Sequence, residues 1–183
     1  LSLVGVLEYP ERGGLFLVSD VGLIPDPTVE QGILIINNAV SLARILGKQT
    51  IRVAVLAFEG EATPSSPTTM AERLIQKYLN EKGDPTIVVE GPIRLEHAIL
   101  EKAIPSKPSD MMEHGPADIM IASNIHVGNS MYKAMMTLCN MKSAPIVVGG
   151  RVPIALPSSS EPADNILNSI ALSVIVRHSE YSQ

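Results

Sequence analysis

Apolar and polar positions alternate along the chain in two rhythms. Three short runs dense in β-branched residues, IRVAVLAF (51–58), TIVVEG (86–91) and ADIMIA (117–122), read as strands covered on both faces. Helical spacing predicts helices over 68–80 and 95–103, while the proline-rich stretch 104–116 reads as an irregular connection. Ahead of these, LSLVGVLEY and GLFLVSD flank a turn at 10–14 and predict an opening antiparallel hairpin. The next helix is sharply marked. Thr28 and Gln31 have capping-box spacing, Val29, Ile33, Ile36 and Val40 share one face, and Gly47 supplies a left-handed stop, so the helix spans 29–46.

After ADIMIA comes the polar turn SNIHVGN (123–129), whose Gly128-Asn129 is expected to open a further helix. APIVVGG and VPIAL are two more strands, and EPADNILNSIALSVIV closes the chain as an apolar-faced helix. The order of elements predicts an α/β fold, a mainly parallel sheet with helices on both faces. Ligands then gather in the loops at the carboxyl ends of its strands, here 58–67, 90–94, 123–129 and 157–162.

An apolar fraction of 45% over 183 residues is enough for a real core. The net charge of -5 and the lack of any Lys/Arg block argue against a nucleic-acid partner. No apolar run reaches the roughly 18 residues that span a bilayer, and the first residues lack the order of a signal peptide, so no membrane association is expected. The one cysteine, Cys139, lies within an apolar helical pattern; it is expected to be a buried thiol in a reducing cytoplasm. The start at Leu1 without Met gives the expectation of a processed or truncated product.

Two helix starts offer chemistry. Gly128 and Asn129 would aim amide groups at the preceding turn, with Lys133 one turn on, and such termini favour anions; a plain turn and cap explains the same residues. Ser158, Ser159 and Ser160 precede Glu161 and Asp164, so hydroxyls stand ready for a phosphate and a carboxylate for a proton, although capping alone accounts for them too. The histidines His97, His114, His126 and His178 lack zinc-site spacing, so no metal is expected. Met131, Met135, Met136 and Met141 have helical spacing suited to core filling or a subunit contact. No dinucleotide fingerprint, Walker loop or nucleophile elbow is present.

Taken in order, FLVSDVGLIPDPTVEQ, VAVLAFEGEATPSSPTT, VVEGPIRLEHAI, ADIMIASNIHVGNSMYKAM and VPIALPSSSEPADNILNSIAL resemble the second half of a phosphate acetyl/butyryltransferase. The most specific matches are the Gly128-Asn129-x-x-Tyr132-Lys133 box and the VPI strand with its Asn-Ser-Ile helix. The resemblance implies a two-domain fold of the isocitrate/isopropylmalate dehydrogenase kind, the N-terminal half being absent here. Residues 1–148 would be the second domain, and 149–183 would return to the missing first domain, supplied by an unseen N-terminal segment or a second chain. It further implies a homodimer and a reaction moving an acyl group between acyl phosphate and coenzyme A, with coenzyme A as substrate and no bound cofactor.

Carried over by position, Ser158 matches the serine of the family's T-S-R turn. Three polar positions depart from the pattern: Ser159 replaces the arginine, Asn165 replaces the aspartate at the head of the last helix with Asp164 beside it, and Ile24 replaces an asparagine. Likewise TPSSP (63–67) stands for N-P-K-M-P, and SNIHVGN for P-D-I-E-A-G-N. The expected catalytic set is Ser158 with Asp164 or Glu161 as base, and Gly128, Asn129, Lys133, Ser159 and Ser160 are expected to bind substrate. One expectation is therefore a divergent phosphate acyltransferase. The other is a binding or assembly protein that keeps the fold without its chemistry.

Overall fold

The computed structural model describes residues 1–9, 13–58, 67–81, 84–100 and 116–181. The chain runs β1 (Ser2–Glu8), β2 (Leu15–Ser19), α1 (Val29–Ile45), β3 (Ile51–Leu56), α2 (Pro67–Glu81), β4 (Ile87–Ile93), α3 (Leu95–Ile99), β5 (Ile119–Ile121), α4 (Ile125–Leu138), β6 (Ser143–Val148), β7 (Ile154–Ala155) and α5 (Ala163–Tyr181). One seven-stranded sheet has the order β4-β3-β5-β2-β1-β6-β7. β4, β3, β5 and β2 are parallel neighbours, and the hairpin strand β1 is antiparallel to both β2 and β6. β2 to β6 thus point one way, and β1 and β7 the other.

Alternation along the strands sends side chains to two cores. Val4, Val6 and Leu17 face α1 and α5, whereas Leu3, Leu7, Phe16 and Val18 share the other core with Tyr132 of α4 and Ala98 of α3. Helices cover both faces, as the strand-helix alternation requires. The α1 signals are realised: Thr28 Oγ1 accepts from Gln31 N at 3.3 Å, and Gln31 Oε1 accepts from Thr28 N at 2.9 Å. At the other end Gly47 has φ of 89° and Lys48 N donates to Ala43 O, the left-handed exit expected there.

The third stretch of predicted helix is shorter than 95–103, since α3 ends at Ile99 and 101–115 lie outside the described residues. The predicted strand 152–156 contracts to Ile154–Ala155, antiparallel to β6. β7 and β4 form the two sheet edges; β4 carries Pro92, and its register with β3 shifts between Ala54 and Leu56. α5 sets Leu172 and Val176 into the α1-side core, each worth roughly 1.5–3 kcal/mol of burial. The opposite stripe of α5 is open, with Leu167 64%, Ile170 51% and Val174 52% exposed.

Two local expectations need correction. Helix α4 starts at Ile125, not at Gly128-Asn129, because Asn124 caps it by accepting from Val127 N at 3.0 Å. Cys139 is exposed, because α4 ends at Leu138 and the cysteine is the cap residue beyond its last packed turn. Met131, Met135 and Met136 pack at the margin of the second core. Among the described residues no helix is long and apolar enough to cross a membrane.

Gly128 lies where the first turn of α4 meets the Asp20 backbone, and a Cβ there would collide with the Asp20 carbonyl oxygen. Backbone on both sides leaves nothing to give way. Gly128→Ala is expected to lower stability by about 1–3 kcal/mol, read as a lower urea midpoint at unchanged m.

Candidate active site

The serine turn and α4 meet at a buried polar cluster beside the amino end of β6. Ser143, the first residue of β6, is its centre. The Tyr132 hydroxyl donates to Ser143 Oγ at 3.0 Å, and Ser143 Oγ in turn donates to Glu161 Oε2 at 3.2 Å. Glu161 Oε1 accepts from Ser158 N at 3.0 Å and lies 3.4 Å from the Tyr132 hydroxyl. Asn165 Oδ1 accepts from the Ser143 backbone N–H at 3.1 Å. Burial pushes the Tyr132 phenol upward, with the Glu161 charge adding to it, so Tyr132 remains a proton donor.

This geometry divides the expected site residues. Glu161 is buried and its oxygens are engaged by Ser143, Tyr132 and the Ser158 amide, which makes it the brace of the turn. Asp164 is exposed in the first turn of α5, and Ser159 and Ser160 are exposed in the turn before it. The Ser158 and Ser160 hydroxyls are 3.2 Å apart. Lys133 follows Tyr132; its Nζ is buried, 5.9 Å from the Tyr132 ring centroid, with no hydrogen-bond partner among the described residues. An ammonium in that state is costly unless an anion meets it.

Gly128 and Asn129 do not join this cluster. Gly128 N is already bonded to Asn124 O within α4; the close approach of Gly128 to the Asp20 backbone and the bond from Asn129 Nδ2 to Val21 O at 2.9 Å hold α4 against the carboxyl end of β2. β2 and β6 run the same way on either side of β1, which puts Gly128 and Ser158 at opposite ends of the strands. Five to six residues at about 3.3 Å each separate those ends by roughly 17–20 Å. The two helix starts therefore do not enclose one anion. What unites α4 with the serine turn is Tyr132.

A second polar feature lies at the carboxyl ends of β3 and β5. Glu72 of α2 is 3% exposed, and neither carboxylate oxygen has a hydrogen-bond partner among the described residues. It lines a cavity of about 270 Å³ shared with Asp26, Ser123 and Asn124. Sequence reasoning passed over this residue, although its spacing from Ile75 and Leu79 puts an acid on the apolar face of α2. Ser143 had no motif to reveal it. His97 is buried, His126 and His178 are exposed, and no cluster of metal-ligand side chains occurs among the described residues.

The mixed, mostly parallel sheet with helices on both faces is the fold of solved phosphotransacylases. The chain belongs to the phosphate acetyl/butaryl transferase family, whose model matches residues 1–174. It is 33% identical over 96% of its length to a phosphate acetyltransferase of Thermotoga maritima, of which it covers 60%. It is 31% identical to a phosphate butyryltransferase of Clostridium acetobutylicum, again over 96% of its length and 58% of that protein. A branched-chain phosphotransacylase of Enterococcus faecalis V583 superposes with a TM-score of 0.85 at 29% identity, over 97% of this chain and 63% of that one. The chain thus spans about 60% of the length of these curated relatives.

Burial without a partner raises the Glu72 carboxyl from 4.5 to about 8. Between those values the folded chain holds a proton that the unfolded chain has lost. Its contribution is complete below pH 4.5 and disappears as pH rises through 8. Unfolding free energy is expected to fall over that window by on the order of a few kcal/mol, and urea titrations of Glu72→Gln should lack that decline.

Proposed function

We propose that the protein is a divergent phosphate acyltransferase, moving an acetyl, butyryl or similar acyl group between acyl phosphate and coenzyme A. The observation that carries this reading is the Lys133 ammonium, buried without a hydrogen-bond partner among the described residues on the helix turn whose Tyr132 reaches the serine loop. A phosphoryl oxygen would supply the missing acceptor. Ser158 and Ser160 add hydroxyl donors at the head of α5, where first-turn amides and the helix dipole favour negative charge.

In the proposed step a base takes the thiol proton of coenzyme A, the thiolate sulfur attacks the acyl carbon, and the acyl carbon–oxygen bond breaks to release phosphate. Asp164 suits the base because it is exposed on the first turn of α5, whereas Glu161 is held by three donors. Glu161 fixes the turn that carries Ser158, and Tyr132 and Ser143 fix Glu161. Gly128 and Asn129 serve by setting the position of α4, and with it Lys133. No metal or bound cofactor enters this step.

Residues 149–183 are proposed to pack against a first domain outside this chain, contributed by an N-terminal segment or a second chain. The open stripe of Ile166, Leu167, Ile170 and Val174 supports that reading. A homodimer and a cytoplasmic setting complete the proposal. The competing reading, a binding or assembly protein that has kept only the fold, is favoured by one observation: Asn165, at the family's aspartate position, is buried and committed to the Ser143 amide.

Thioester formation from acetyl or butyryl phosphate and coenzyme A by the full-length protein, first domain included, separates the two. Turnover is expected, and Ser158→Ala and Lys133→Met should each lower kcat/KM by about 10- to 100-fold, the loss of one hydrogen bond to a charged group. Ser159→Arg should lower the KM for acyl phosphate by restoring a bidentate donor. If wild type and Ser159→Arg both fail to turn over either acyl phosphate, the enzyme reading is lost.

A further inference from the structure

The cavity around Glu72 stands apart from the serine turn. It opens at the carboxyl ends of β3 and β5, the end of the sheet opposite Ser143, Ser158 and Glu161. Its acid is the only carboxylate among the described residues with both oxygens buried and unpartnered. Around it are a second carboxylate, Asp26, from the connection before α1, the polar residues Ser123 and Asn124 after β5, and an apolar wall that includes Ile75 and Ile121. No lysine, arginine or histidine lines the cavity among the described residues. The other charged residues described on α2, Arg73, Lys77 and Glu81, are exposed on its outer side.

That lining decides the sign of the ligand. Two helix starts border the cavity, and helix starts ordinarily favour anions. Both are already capped, α1 by Thr28 and α4 by Asn124, and Glu72 brings a negative group once it ionises. An added anion would face Asp26 and, once it ionises, Glu72, with no basic partner among the described residues. A cation with N–H donors would instead meet the two bare oxygens of Glu72, while a short aliphatic body packed on Ile75 and Ile121. The volume of about 270 Å³ compares with about 30 Å³ for a water molecule in the liquid, so the occupant is small.

We propose that this cavity is a binding site for a small primary alkylammonium ion, held by the Glu72 carboxylate and assisted by Asp26. The site does not rest on the acyl-transfer reading and can stand or fall without it. Because burial raises the Glu72 carboxyl to about 8, binding a cation below that pH must expel its proton. A primary alkylamine, like lysine, keeps its own charge to about pH 10. Affinity should therefore tighten with pH as the competent, ionised fraction of Glu72 grows.

Calorimetric titration with n-butylammonium chloride tests this, with n-butanol and sodium butyrate as probes of the same length. The expected result is saturable binding with a dissociation constant on the order of a millimolar at pH 8.5, weaker by about twentyfold at pH 6.5. At pH 7 the heat should vary with the buffer's ionisation enthalpy, showing about one proton released per amine bound. Glu72→Gln should lose at least tenfold in affinity and all of the pH dependence, and Asp26→Asn should lose less. The wild-type proton release needs no variant and stands if Glu72→Gln folds poorly. The proposal is overturned by no saturable binding of n-butylammonium at pH 8.5, by equal binding of n-butanol or butyrate, or by affinity that stays flat or weakens as pH rises.

Discussion

A single serine at the start of β6 ties together the parts of this fold that carry chemistry. Ser143 accepts from the Tyr132 phenol, donates to Glu161 and gives its backbone N–H to Asn165, so α4, β6 and α5 meet at one residue. Buried polar groups that depend on one another are costly to separate, because losing any one leaves the others desolvated and unpaired. The serine turn has no long strand or deep apolar anchor of its own. Its place is set by the bond from the Ser158 amide to Glu161, and hence by Ser143.

The arrangement distributes polar features to both ends of the sheet. Parallel strands β3 and β5 end at the Glu72 cavity, in keeping with the tendency of such sheets to bind ligands beyond their carboxyl ends. The serine turn breaks that tendency because β7 reverses direction against β6 and delivers Ser158 to the opposite end. Direction of a two-residue strand therefore determines which end of the domain receives the serines.

The fold was legible in the sequence wherever a signal was local. Thr28 and Gln31 could announce the α1 start because a capping box is a four-residue object, and the β-branched runs could announce strands because burial on both faces needs nothing else. The α4 start was misplaced because Gly128-Asn129 looks like a helix opening, whereas Asn124 four residues earlier takes that role. The candidate site was legible only in part. Tyr132, Ser143 and Glu161 lie 11 and 18 residues apart on α4, β6 and the serine turn and become partners only when those elements pack together, and Glu72 reads as an ordinary polar helix residue until its surroundings close over it.

The margins of the sheet determine how this molecule can add to itself or to others. One margin, β4, is interrupted by Pro92, which has no N–H to offer, and its register is irregular. The other, β7, is two residues long. Neither exposes an unbroken row of backbone groups on which another strand could template. Growth by strand addition, the usual road from a globular sheet to a fibre, is thus obstructed at both ends, and association is left to side-chain surfaces, whose shape and composition can discriminate among neighbours as a bare backbone edge cannot.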